Sequence, residues 1–400
     1  MKRPNIRQIL LIFLSFLILL TVYFSIHSPL ATDIIHQKRI NILLIGTDYV
    51  DYAQHSDTII FVSYNPRLRF IDLVSIPRDT KVILPDIKQR RINEIYAYYY
   101  KREKNHYNAS TALMKIVNNI FDNKIEHKYF FQIDYDTFCK FISILGNVKI
   151  DIDEPMHYDD NAGKLHIHFT TGTWLLDGKK ALEYVRYRSS AGDIGRIYRT
   201  QRFIRALIKK INNPLVIFKL PKLTNLILKR LNTNMSVWDI LNLMIELRYI
   251  NIENVRMAQL PGKPSGAMWE IDEQGLEHVI YTIIGSEIEP ITNVRQVTVE
   301  VLNASSINGV ALEVTRKLRD NNFDVIDWRN YPTRQKKTIV IDRVGDLRSA
   351  QKIARILNTE EIFTRYLQDS SVDISVIIGE DYRDKNNIPM EVKFDGKNIR

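Results

Sequence analysis

The chain has 400 residues, of which 45% are hydrophobic and 26% charged, so it is long enough for two or three globular domains. This composition excludes an intrinsically disordered chain. The formal net charge of +10 favours anionic partners, and the single cysteine, Cys139, excludes an intrachain disulfide.

The first predicted element is a transmembrane helix at residues 9–26. This stretch contains no charged residue, and its length of about 27 Å at about 1.5 Å per residue is enough to cross the hydrocarbon core. A cleavable signal peptide is the alternative, but its apolar core is usually about 7 to 15 residues long. Lys2, Arg3 and Arg7 precede the stretch and predict a cytoplasmic tail at residues 1–8, with the remainder outside the cytoplasmic membrane. That location excludes nucleic acid as a partner and favours membrane phosphate or an envelope polymer.

Strands and helices follow in mixed order. Continuous apolar or β-branched runs predict strands at residues 40–46, 58–64 and 70–76, the last two forming a hairpin. Helical spacing predicts helices at residues 110–121, with Ser110 as the N-cap, and at 134–146, 178–188, 195–210 and 231–250. We therefore expect an α/β domain with a mixed central sheet and flanking helices at residues 38–285. A composition break at 286–296 predicts a linker, and a strand-helix-strand-helix-strand series predicts a small α/β domain at 296–382.

Several acidic residues are expected at one edge of the sheet. In an antiparallel pair, the residue before one strand lies beside the residue after the other, which places Asp57 next to Arg78 and Asp79. If the first strand runs parallel to the third, Asp48 emerges at the same edge. These acids suit Mg²⁺, which binds one or two carboxylates together with phosphate oxygens. The alternative is that they are ordinary turn residues.

A basic segment at residues 186–210 offers a site for phosphate. Arg196 and Arg199 are three residues apart and share one helical face after a glycine-containing loop. A helix N-terminus and guanidinium groups together would hold a diphosphate. Asp193, the segment's one acid, would orient the arginines or help to hold a metal ion. A solvated basic helix face is the alternative.

A histidine-rich segment at residues 157–169 is interpreted differently. His166 and His168 alternate onto one face of a predicted strand, near His157, Asp159 and Asp160. A catalytic zinc site needs a third defined ligand and an open position, and neither is evident in the sequence. A polar β-hairpin near the surface is therefore expected.

Six separated motifs together carry a resemblance to a known family. In chain order they are LIGTD, SDT, SIPRD, RRINEIYAYY, LLDGKKALEYVRYR and GDIGRIYRTQRF. In this order they resemble the LytR-CpsA-Psr family of envelope enzymes over residues 38–265. Residues 296–382 look like the LytR C-terminal accessory domain.

The resemblance implies an enzyme and assigns roles by motif. Such an enzyme transfers a glycopolymer from a polyprenyl-pyrophosphate carrier to a hydroxyl of peptidoglycan, with Mg²⁺ or Mn²⁺ at the pyrophosphate. Asp48 and Asp57 look like the metal ligands. The residues implied to bind pyrophosphate are Arg78, Arg91, Arg186, Arg188, Arg196, Arg199 and Gln201. We assign Arg78 and Arg196 to catalysis, with Asp79 or Asp193 as the hypothetical base for the acceptor hydroxyl.

Two positions depart from the family pattern, and two other functions stay open. His55 stands where the family often has arginine, and Thr200 stands where it usually has glutamine, which weakens the assignment of Gln201. A pyrophosphatase acting on the same lipid-linked donor would use the same residues with water as the acceptor. A non-catalytic envelope regulator or binding protein is the other alternative.

Overall fold

The computed structural model describes residues 15, 23, 26–50, 53–84, 87–160, 165–187, 192–250, 254–285, 296–365 and 370–382. The chain divides into two compact units, residues 1–287 and 288–400. The predicted tail at 1–8 and the predicted anchor at 9–26 lie outside the described residues, apart from Ser15, Tyr23 and Ile26. Within the described ranges, no helix combines the length and the apolar character that a membrane span needs.

A mixed six-stranded sheet forms the centre of the first unit, in the order β11-β6-β1-β2-β3-β12. Its middle strands β1, β2 and β3 are antiparallel, whereas β6 runs parallel to β1 and β12 runs parallel to β3. The other strands of the unit form two-stranded pairs. The strand bounds are β1 (Ile40–Val50), β2 (Ala53–Asn65), β3 (Phe70–Ile76), β4 (Lys81–Leu84), β5 (Ile87–Arg91), β6 (Tyr129–Asp134), β7 (Val148–Ile152), β8 (Met156–Asp160), β9 (Leu165–Phe169), β10 (Gly172–Leu176), β11 (Asn232–Thr233), β12 (Val255–Gln259), β13 (Gly262–Ser265) and β14 (Met268–Ile271).

Helices pack on both faces of this sheet, which confirms the predicted mixed α/β fold. On one face, Ile42 and Ile60 share an apolar core with Ile208, Ile227 and other helical residues. On the other, the ring of Phe61 contacts the ring of Phe121 at a centroid distance of 5.0 Å. The helices are α1 (Pro29–Ile35), α2 (Ile92–Glu103), α3 (His106–Ile120), α4 (Tyr135–Leu145), α5 (Gly178–Arg186), α6 (Gly192–Ile211), a 3-10 helix (Pro214–Lys219), α7 (Leu220–Arg230), α8 (Val237–Leu247) and α9 (Glu273–Gly285).

Helix capping agrees with the sequence at one helix and differs at another. Asp134 caps α4, since its side chain accepts a hydrogen bond from Thr137 N at 2.7 Å. The prediction that Ser110 caps α3 is wrong, because the helix begins one turn earlier and Asn105 is its cap. The Asn105 side chain accepts hydrogen bonds from two backbone amides of the first turn, and Ser110 is buried inside the helix.

The second unit is a small α/β domain with a core of its own. Its five-stranded sheet has the order β16-β15-β19-β17-β18, with β17 antiparallel to β19 and the other neighbours parallel. Alternate residues of β15 and β19 pack with both helices in one apolar core. Its elements are β15 (Thr298–Asn303), α10 (Val310–Arg319), β16 (Asp324–Asn330), β17 (Ile339–Asp342), α11 (Leu347–Ile356), β18 (Ile362–Thr364) and β19 (Ile374–Ile378). The sequence pattern missed the two edge strands. β16 has few buried residues, and β18 is only three residues long.

Candidate active site

A β-bulge brings the two predicted metal ligands together. Gly46 on β1 pairs with Thr58 on β2, whereas the next residue of β1 pairs with Ser56. Asp57 is therefore an extra residue on β2 that has no partner in the ladder. Its carboxylate lies within hydrogen-bonding reach of the Asp48 side chain. The prediction that these two acids meet at one edge of the sheet is thus confirmed.

The Asp48 carboxyl is buried beside another acid. Only 7% of Asp48 is exposed, and its Oδ1 has no hydrogen-bond partner among the residues that the structure describes. Burial, together with the negative charge of Asp57, raises the pKa of Asp48 from 3.8 to about 6, against the opposing effect of Arg186 and His55. At neutral pH the Asp48 carboxyl is therefore mostly ionised, although it is buried beside a second acid.

Arg78 and Asp79 belong to one network of charges at the end of β3. The Nη1 atom of Arg78 lies 3.2 Å from Oδ1 of Asp57, which confirms the neighbourhood predicted from the hairpin. Asp79 lies between two guanidinium groups, 3.8 Å from Arg78 Nε and 3.4 Å from Arg91 Nη1. All four side chains are partly exposed, between 23% and 40%, so the network is open to a ligand.

Backbone hydrogen bonds hold this turn in place. Thr80 closes it through its amide and its hydroxyl, which both donate to Pro77 O, at 3.0 and 2.6 Å. The amide of Asn93 at the start of α2 donates to Arg78 O at 3.1 Å, and the amide of Trp269 on β14 donates to Asp79 O at 2.9 Å. Two separate elements thus fix the backbone on which Arg78 and Asp79 are mounted.

Tyr135, at the start of α4, is a site residue that sequence reasoning missed. The Arg186 guanidinium at the end of α5 lies 4.7 Å from the centre of the Tyr135 ring. Burial raises the pKa of Tyr135 to about 12, with Asp48 also raising it and the positive charge of Arg186 opposing this change. An aromatic residue directly after the capping Asp134, in a segment that follows a buried strand, is the signal that could have identified it.

Two of the remaining predicted residues, Arg199 and Gln201, are described on α6. Arg199 is 9% exposed, donates from Nη2 to Tyr187 O at 2.8 Å, and stacks over the Tyr187 ring at 5.0 Å. Gln201 is buried and donates from Nε2 to Met257 O on β12 at 3.1 Å. Arg188 lies outside the described residues, as do the side chains of Asp193 and Arg196, so their assigned roles stay predictions.

The acid pair fits a divalent cation. Mg²⁺ is typically bound by one or two carboxylates plus water and phosphate oxygens. Asp48 and Asp57 supply two such carboxylates, and the buried Oδ1 atom of Asp48 offers a ligand position. A cation here would also offset the repulsion that raises the pKa of Asp48.

Comparison with known proteins agrees with this architecture. The LytR-CpsA-Psr family profile matches residues 25–293. The chain belongs to the LytR-CpsA-Psr family. A second profile, described as LytR cell envelope-related transcriptional attenuator, matches residues 296–382. The resemblance expected from the six motifs is thereby confirmed.

Two of the similar proteins are transferases of Bacillus species. A polyisoprenyl-teichoic acid–peptidoglycan teichoic acid transferase, TagU of Bacillus licheniformis, is 29% identical over 217 residues, 52% of this chain and 65% of the relative. The transferase TagV of Bacillus subtilis is 29% identical over 222 residues, 53% of this chain and 54% of the relative. This chain thus spans less than two thirds of the length of either relative. The crystal structure of B. subtilis TagV shares the fold, with a TM-score of 0.53 and 24% identity over 64% of this chain and 99% of that one.

Proposed function

We propose that this LytR-CpsA-Psr protein transfers a glycopolymer from a polyprenyl-pyrophosphate carrier to a hydroxyl of peptidoglycan. The single observation that carries the proposal is the contact between the Asp48–Asp57 acid pair and the guanidinium network at the end of β3. A pyrophosphate group needs both kinds of charge, a divalent cation and arginines. Relatives named as teichoic acid transferases support the same class of substrate.

The cation would be held by Asp48 and Asp57 and, when bound, would neutralise charge on the pyrophosphate oxygens. Arg78 contacts Asp57, and Arg91 contacts Asp79. The positive charge of Arg186 opposes the rise in the pKa of Asp48. Guanidiniums bind phosphate oxygens in bidentate fashion. The two proposed ligands and Arg78 are already in contact, with Arg78 Nη1 3.2 Å from Asp57. Arg78 can therefore orient a phosphate oxygen next to the metal ligands without rearrangement.

The proposed step is a phosphoryl transfer. The acceptor hydroxyl forms a bond to the phosphorus that carries the glycan, the bridging P–O bond breaks, and polyprenyl phosphate leaves. Negative charge grows on the leaving oxygen, and the arginines stabilise it. The hydroxyl proton passes to a base, for which Asp193 is our candidate, because Asp79 is engaged by two guanidinium groups.

We further propose that residues 9–26 anchor the protein in the cytoplasmic membrane and that both folded units lie outside the cytoplasm. The uncharged stretch and the basic residues before it support this topology. A carrier lipid in the membrane would then lie within reach of the site.

Product analysis tests the transferase proposal. The full chain in detergent with Mg²⁺ is supplied with a polyprenyl-pyrophosphate-linked oligosaccharide and peptidoglycan fragments, and the products are identified by mass spectrometry. We expect a glycan–phosphate–peptidoglycan conjugate. Free phosphorylated glycan without conjugate would show that water is the acceptor and would contradict the transferase.

Matched arginine variants connect the activity to the site. We expect Arg78→Ala to lower conjugate formation by about 100-fold or more, because it removes a donor to developing charge. Arg90→Ala is the control, since Arg90 pairs with Glu94 at 3.3 Å rather than with the acids of the site. Equal losses in both variants would argue against a specific guanidinium clamp.

A further inference from the structure

The outer face of the β8–β9 hairpin carries polar side chains that the proposed transfer does not use. The strands pair antiparallel, with His157 opposite His168 and Asp159 opposite His166. Directly opposite residues of such a pair share one face of the sheet, so all four side chains project from the same side. The structure confirms the exposed polar hairpin expected from the sequence.

The opposite face of the hairpin is anchored in the protein core. Met156, Ile167 and Phe169 are each less than 9% exposed and belong to one apolar cluster with residues of α4, α5 and α6. Strand alternation then directs the four polar side chains to solvent from a backbone that is held on its other side. The group is therefore mounted on a fixed strand pair rather than on a loop.

Three imidazoles converge on the one carboxylate. Asp159 Oδ1 lies 2.7 Å from His166 Nδ1 and 3.0 Å from His168 Nε2, and Oδ2 lies 3.3 Å from His157 Nε2. One ligand atom each from His157, Asp159 and His168 lie within 4.8 Å of one another. Ligands at about 2.0 to 2.1 Å from a tetrahedral ion lie roughly 3.3 Å apart. The carboxylate–imidazole separations of 2.7 to 3.3 Å and the 2.8 Å between His157 Nδ1 and His168 Nδ1 are at or somewhat below that value, so modest side-chain rotations would surround an ion.

We propose that His157, Asp159 and His168 form a binding site for a divalent transition metal ion of the zinc class. Imidazole nitrogens favour zinc, copper and nickel, whereas magnesium and calcium prefer sites made of oxygen atoms. His166 completes the group, either at the fourth position or hydrogen-bonded to the ligating carboxylate. The third ligand that the sequence did not reveal comes from the neighbouring strand, because the register places His157 across from His168.

Zinc binding to the full chain tests this site, with the protein prepared without a polyhistidine tag. We expect a competition titration against a chromophoric chelator at pH 7.5 to give one equivalent bound with Kd below about 10 µM. His157→Gln and His168→Gln should each weaken binding at least about tenfold. Binding should also weaken between pH 7 and pH 5, because protons compete with the metal ion for the imidazole nitrogens.

His36→Gln is the matched control, because His36 is exposed in the same unit but lies outside the hairpin. All three positions are exposed, so circular dichroism should be unchanged in every variant. Parental affinity in His168→Gln, displacement of zinc by millimolar Mg²⁺, or Kd above about 100 µM for the parent would each overturn the site. None of these measurements depends on transferase activity, so the site and the proposed function stand or fall separately.

Discussion

Ionisation of Asp48 lowers stability, whereas the proposed metal binding requires it. Its pKa of about 6 exceeds its ordinary value of 3.8, so the folded protein holds a proton here more tightly than the unfolded chain does. This contribution to stability is present at low pH and is lost as the pH rises from about 4 through about 6. At neutral pH and without a bound cation, the charge on Asp48 therefore lowers the free energy of unfolding.

The first prediction is that Asp48→Asn stabilises the metal-free protein. At pH 7.5 in EDTA we expect the free energy of unfolding to rise by roughly 1 to 3 kcal/mol, and the gain to disappear below about pH 4. Urea unfolding at several pH values measures it, with the exposed Asp136→Asn as control. The same variant should lose Mg²⁺ binding, and an unchanged Mg²⁺ affinity would remove Asp48 from the metal site.

A second prediction concerns Asp79, which the sequence offers as a candidate base. Because Arg78 and Arg91 both engage it, we expect Asp79 to position guanidiniums. Asp79→Asn should then lower kcat by less than about tenfold and keep the acidic limb of the pH profile, whereas loss of a base typically costs about 10² to 10⁴. Glu94→Gln, which alters a neighbouring ion pair, is the comparison. Disappearance of the acidic limb in Asp79→Asn would identify Asp79 as the base.

Individual contacts were predictable from the sequence where strand geometry decided them. The hairpin alone placed Asp57 beside Arg78, because antiparallel pairing fixes which strand ends meet. The pattern could not place Tyr135 over Arg186, because that contact joins two elements through tertiary packing. It also could not pair His157 with His168, since the register depends on a turn whose geometry the sequence does not fix.

At the scale of elements, the bulge in the β1–β2 hairpin depends on Gly46. A Cβ atom added to Gly46 would lie 2.9 Å from the Cβ of Thr58, closer than side chains normally approach. The sequence does not reveal why glycine is needed at this position, because a glycine at the end of an apolar run is equally typical of a turn. The strands continue past the ends predicted at residues 46 and 58, to Val50 on β1 and from Ala53 on β2.

The third prediction follows from that close approach. Gly46→Ala should lower the free energy of unfolding by about 1 to 3 kcal/mol and weaken Mg²⁺ binding, because the strands must separate at the bulge. In a double-mutant cycle, Thr58→Gly should recover part of the loss by removing the opposing Cβ, whereas Thr58→Ala should not. Additive effects of Gly46→Ala and Thr58→Gly would show that the clash is not what makes glycine necessary.

At the scale of the whole molecule, the two units have separate cores. The apolar cluster of the second unit is made entirely of residues between Val297 and Tyr382. Five of its seven elements, all except the edge strands β16 and β18, were readable in their order from the sequence, because each of these segments is strongly patterned and bounded by turn residues. The sheet order was not, since β19 lies between β15 and β17 and that arrangement depends on long-range pairing.

The fourth prediction is that residues 296–382 fold without the rest of the chain. We expect the isolated fragment to unfold cooperatively in urea. Val376→Ala should destabilise it by about 1 to 3 kcal/mol, because Val376 is fully buried. Leu312→Ala, at a position that is 39% exposed, should cost less than about 1 kcal/mol. A fragment without a cooperative transition would show that the second unit needs the first.

The bulge at Asp57 also has a consequence for how such a site can arise. On one side of the bulge Gly46 pairs with Thr58, and on the other side Thr47 pairs with Ser56. A regular ladder without residue 57 would contain the same two pairs. Deleting Asp57 would therefore leave every other residue of β2 with its present partner and on its present face. Conversely, inserting one codon at this point into a hairpin that lacks residue 57 would add a carboxylate beside Asp48. A proposed metal ligand is gained, whereas the hydrophobic pairing that stabilises the sheet is unchanged.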